Sequence, residues 1–102
     1  MKYQLVLQWA YSSVADYDLL IRLEDLIRDG IGNIGIVDGH DYGSGEMNIF
    51  VHTNEPRVAF EKIGILLSGQ LPRKEMKAGY RNFEDDHYTP IYPPGLQQFS
   101  VI

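Results

Sequence analysis

Cysteine is absent from this sequence, which removes disulfide frameworks, cysteine-ligated zinc and thiol chemistry together. Long hydrophobic runs are absent too. No stretch approaches the ~18 consecutive apolar residues of a membrane-spanning helix. Positive charge is scarce, with nine Lys and Arg against fourteen Asp and Glu, a net charge of −5 and a pI near 5.0. That balance argues against holding nucleic acid or an anionic membrane by general electrostatics, because phosphate binding needs concentrated Lys and Arg. Basic or uncharged partners fit better. The first fifteen residues carry one Lys and an apolar run broken by Gln4 and Gln8, so Ser13-Val14-Ala15 is a weak cleavage signal. The expected location is cytoplasmic.

What is present suits one globular domain: 102 residues, 44% of them hydrophobic and 12% aromatic, can bury a core without metals or disulfides. The centre of the chain reads as a β-hairpin, with the apolar run Ile34–Val37, a Gly-rich loop and the apolar run Met47–Val51. A loop of five residues, Asp41 to Gly45, would set His40 opposite Glu46, Asp38 opposite Asn48 and Ile36 opposite Phe50. Gly35, Val37, Met47, Ile49 and Val51 then share a core face. Ile34, Ile36, Asp38, His40, Glu46, Asn48, Phe50 and His52 share an open one.

Before the hairpin, Tyr3, Leu5, Leu7 and Trp9 alternate with Gln4, Val6 and Gln8, which predicts a strand over Lys2 to Trp9. Leu19, Leu20, Leu23, Leu26 and Ile27 then recur at helical period, predicting a helix from Ala15 to Asp29 that Gly30 and Gly32 stop. After it, Thr53 or Asn54 can cap a second helix, with Glu55 and Pro56 in its first turn and Ala59, Phe60, Ile63, Leu66 and Leu67 on its buried stripe. The loop Gln70 to Glu75 leads to a weak strand, Met76 to Phe83, whose Gly79 and charges suggest an edge. The order β-α-β-β-α-β predicts an α+β, ferredoxin-like domain over residues 1–83, two helices on one face of an antiparallel sheet. Residues 84–102 are expected to form an ordered C-terminal extension on the same domain. It would add an edge segment near Tyr88 to Tyr92 or cross the open face.

Three constellations could carry chemistry. Asp38, His40, Glu46, Asn48 and His52 hold metal-type donors, but His52 sits too far along the hairpin to join the others, so no metal is expected. The glycines from Gly39 to Gly45 could let a phosphate approach, yet the loop enters a strand, lacks Lys and is ringed by carboxylates, so turn chemistry is the better reading. His40 beside Asp38 or Asp41, and His87 beside Asp85 and Asp86, could begin acid–base catalysis. No nucleophile or oxyanion donor completes a catalytic set, so neither catalytic residues nor a cofactor are expected.

The stretch Asp38 to Phe50, with Tyr80-Arg81-Asn82-Phe83 and Tyr88-Thr89-Pro90-Ile91-Tyr92-Pro93, resembles small uncharacterised bacterial proteins of about this size. The resemblance implies a bacterial, stand-alone domain and carries over no catalytic residue. Acidic charge and abundant aromatics favour a non-enzymatic binding protein, an immunity or regulatory partner that covers a basic protein surface. The alternative is an enzyme or ligand-binding domain for a small molecule, using the open face and the His40/Asp38 hairpin tip. In either reading the binding residues are Gln4, Gln8, Ile36, Asp38, His40, Glu46, Asn48, Phe50 and His52. That face, half apolar and half polar, would also pair two copies in a homodimer sensitive to pH through His52.

Overall fold

A period of two along β1 (Tyr3–Ala10) turns Leu5, Leu7 and Trp9 to one side, where none is more than 3% exposed, and Gln4, Val6 and Gln8 to the other. The computed structural model describes residues 1–10, 15–69 and 76–101. The remaining elements are α1 (Ala15–Gly30), a 3₁₀ turn (Gly32–Ile34), β2 (Gly35–Gly43), β3 (Glu46–Thr53), α2 (Pro56–Leu66), β4 (Met76–Asn82) and β5 (Thr89–Tyr92). The five strands make one antiparallel sheet in the order β2-β3-β1-β4-β5.

Both helices pack on the Leu5–Leu7–Trp9 side. From α1 come Leu20, Leu23 and Ile27, and from α2 come Ala59, Phe60 and Ile63, joined by Met47, Ile49 and Val51 of β3 and Met76 and Ala78 of β4. Acidic residues Asp16 and Asp18 sit in the first turn of α1 and Arg28 in its last, each beside the end of the helix dipole that favours its charge. Pro56 starts α2, where the missing N–H costs nothing. Thr53 ties three segments together: its hydroxyl donates to the Ile34 carbonyl (2.7 Å) and accepts from the Glu55 N–H (3.0 Å). Among the described residues, no helix is long and apolar enough to cross a membrane.

The hairpin departs from its predicted register. Ser44 (φ 57°) and Gly45 (φ 81°) make a two-residue turn with both centres in the left-handed region, so Gly43, not His40, stands opposite Glu46. A bulge at Asp38 then absorbs one residue and returns Val37 to the core face and Ile36 to the far one, although Ile36 stands opposite His52 and not opposite Phe50 as predicted. Between turn and bulge every side chain is reversed. His40 pairs with Ile49 and Tyr42 with Met47, both on the helix side, whereas Asp41 pairs with Asn48 on the other side. His40 is therefore not on the open face, and Ile34 also packs against the core, as part of the 3₁₀ turn.

β4 is not an edge: β5 lies outside it, with Ala78 opposite Tyr92 and Gly79 opposite Pro90. The extension does both things the sequence allowed. After β5 it turns at Gly95 (φ 86°) and runs back across the far face of the sheet. Apart from Ala15, the cleavage signal and the loop Gln70 to Glu75 lie outside the described residues.

Candidate functional site

The face away from the helices is largely roofed by the chain's own C-terminal strap. Phe99 lies over Gly79, where an added Cβ would meet its ring at 2.7 Å, and Val6 beside it is fully buried. Below the strap, Gln8 Nε2 donates to the Ser100 carbonyl (2.9 Å) and to Asn48 Oδ1 (3.1 Å), with Glu46 Oε1 at 3.3 Å. Gln8 and Asn48 are buried, so these bonds satisfy amides that would otherwise be stranded. Gln4 Oε1 accepts from the Tyr88 hydroxyl (2.9 Å) and from Arg81 Nε (3.1 Å), and the Tyr88 ring meets Phe99 edge-on at 5.3 Å. Of the predicted binding residues, Gln4, Gln8, Glu46 and Asn48 thus belong to the seam between strap and sheet.

Ile36, Asp38, Phe50 and His52 lie nearer the β2 side of this face. Contrary to the predicted separation, His52 joins Asp38: its Nε2 approaches Asp38 Oδ2 at 3.5 Å because the register sets it opposite Ile36, its ring meets Phe83 edge-on at 4.8 Å, and Ile36 is 60% exposed. His40 is not with them. On the helix side its Nδ1 stands 3.2 and 3.1 Å from the two carboxylate oxygens of Glu24 on α1. Tyr17 packs edge-on against His40 (5.9 Å) and Tyr42 (5.2 Å), and Arg28 Nη2 reaches Glu24 at 3.7 Å while Nη1 donates to Asp25 at 3.0 Å. A protonated Nδ1 donates to the carboxylate and directs Nε2 away from it. The pair joins α1 to the hairpin across the helix–sheet interface.

Glu24, Tyr17 and Tyr42 were missed as a group. The signal was faint but present: Glu24 falls four residues after Leu20 and three before Ile27, on the buried stripe of α1. A carboxylate there, only 6% exposed, needs a partner across the interface. Among the described residues, no three His, Asp or Glu side chains cluster as a metal site would require.

Charge is distributed unevenly. Residues 15–43, which make α1 and β2, contain Asp16, Asp18, Glu24, Asp25, Asp29, Asp38 and Asp41 against Arg22 and Arg28, so this segment alone carries a net −5. The rest of the chain sums to zero, seven acidic against seven basic residues. Asp18, Asp25, Asp29, Asp38 and Asp41 are all exposed. The helix-borne carboxylates lie on one side of β2, while Asp38 and Asp41 project on the other. No protein-family model, no curated protein and no solved structure matches the chain.

Proposed function

We propose that the chain is a non-enzymatic binding protein, an immunity-type or regulatory partner, that covers a basic protein surface with its α1–β2 flank. We also read the arrangement as ferredoxin-like with a fifth strand added outside β4. The element order β-α-β-β-α-β, the central β3-β1 pair and the two helices on one face support that reading. The observation that carries the functional reading is the confinement of the net −5 to residues 15–43. Concentrated charge of one sign steers an oppositely charged partner and sets its orientation. Exposed Tyr17 and Ile36 on the same flank supply aromatic and apolar contact area.

The small-molecule alternative loses its proposed tip, because the bulge separates His40 from Asp38 across the sheet. The test is capture on the immobilised chain from an extract of the native host, eluted with a salt gradient. A basic protein released as salt rises supports the reading, since screening weakens exposed charge pairs. A partner that stays bound at high salt, or an acidic one, contradicts it.

A further inference from the structure

We propose that the outer edge of β2 is a strand-addition site that receives an extended basic segment of the partner. This rests on the acidic-flank reading and adds the way in which the partner is held. Among the described residues β2 is the outermost strand on its side, nine residues from Gly35 to Gly43 with no proline. Backbone N–H and C=O groups on an edge strand need water or a further strand, and an incoming peptide satisfies them by continuing the ladder. The opposite edge is not equivalent: β5 has four residues, of which Pro90 has no N–H to give.

Charge selects the occupant. A second copy pairing β2 to β2 would bring two sets of Asp38 and Asp41 into one ladder, and like charges across strands are destabilising. A segment bearing Lys or Arg at alternate positions meets those same carboxylates favourably. Its other side chains fall on the helix side, beside His40 and the ring of Tyr17, which is 40% exposed. Apolar residues suit that side, so the partner segment is an alternating basic and apolar strand.

The experiment uses the ¹⁵N-labelled full chain and two capped octapeptides, one alternating Lys and Val, the other Glu and Val. Addition of the Lys-Val peptide is expected to slow exchange of alternate β2 amides by about tenfold or more and to leave β5 unchanged. The Glu-Val peptide should do neither. Asp38→Lys/Asp41→Lys, both at exposed positions, should weaken the Lys-Val peptide by about tenfold. Charge-dependent binding without protection of β2 overturns strand addition while leaving the acidic-flank reading intact. No charge-dependent binding at all overturns both. Protection of β2 that grows with protein concentration alone would assign the edge to a second copy and overturn the proposal.

Discussion

The two sides of the sheet end in opposite ways. On the β5 side the chain closes on itself: a short strand with Pro90, the Phe60–Tyr92 ring contact at 5.7 Å, and a strap that returns over β4 and β1. On the β2 side a long strand is left outermost, flanked by carboxylates, with its one irregularity at Asp38. The chain outside residues 15–43 sums to zero, so α1 and β2 with the turn between them hold the whole net charge. The proposed function would thereby assign stability and recognition to different parts of a small molecule. Substitutions on the closed side should change the fold's stability, and exposed substitutions on the open side should change binding.

The largest effect lies beneath both sides, in the shared core. Leu23 is fully buried in α1 and Ile63 fully buried in α2, so alanine at either should cost ~2 to 5 kcal/mol in chemical denaturation. An unchanged midpoint for Leu23→Ala would mean that α1 is not anchored as described. Next comes Gly79→Ala on the closed side. The new methyl group meets the Phe99 ring at 2.7 Å, and overpacking of this kind costs about 1 to 3 kcal/mol. Limited proteolysis should show the residues after Gly95 cut faster than in the wild type; equal rates would mean that the strap adjusts without lifting.

On the open side, His40→Ala removes the partner nearest Glu24 and leaves Arg28 at 3.7 Å, for a loss of about 1 to 2 kcal/mol. A double-mutant cycle with Glu24→Gln separates this pairing from simple truncation, and additive losses would deny the coupling. The smallest stability effect belongs to Asp41→Lys, at an exposed position, which should stay within ~0.5 kcal/mol of the wild type. Its effect should appear in partner binding instead.

The elements were legible because their signals are local. The alternation of Tyr3 to Trp9 and the helical recurrence of Leu20, Leu23 and Ile27 depend on neighbours within a turn or a strand. The site was less legible because it depends on register. The turn at Ser44-Gly45 is three residues shorter than the loop that the glycines suggested and the bulge at Asp38 adds one residue, and each such odd shift turns the side chains over. His40 was thereby assigned to the wrong face. The placement of β4 inside the sheet depended on a fifth strand whose only local sign was the aromatic, proline-rich run Tyr88 to Pro94. The strap's seat was marked by Gly79, whose bare backbone admits the Phe99 ring; the same glycine had suggested an edge.

The division between a closed side and a recognising side is tested most directly with three purified baits and the captured partner. The baits are the wild type, Asp25→Lys/Asp29→Lys/Asp41→Lys on the open flank, and Phe50→Glu on the sheet face away from the helices. Titration calorimetry at low salt should give near-equal affinities for the wild type and Phe50→Glu, and a loss of about a hundredfold or more for the triple variant. A partner lost by Phe50→Glu and kept by the triple variant would place recognition on the sheet face and contradict the account.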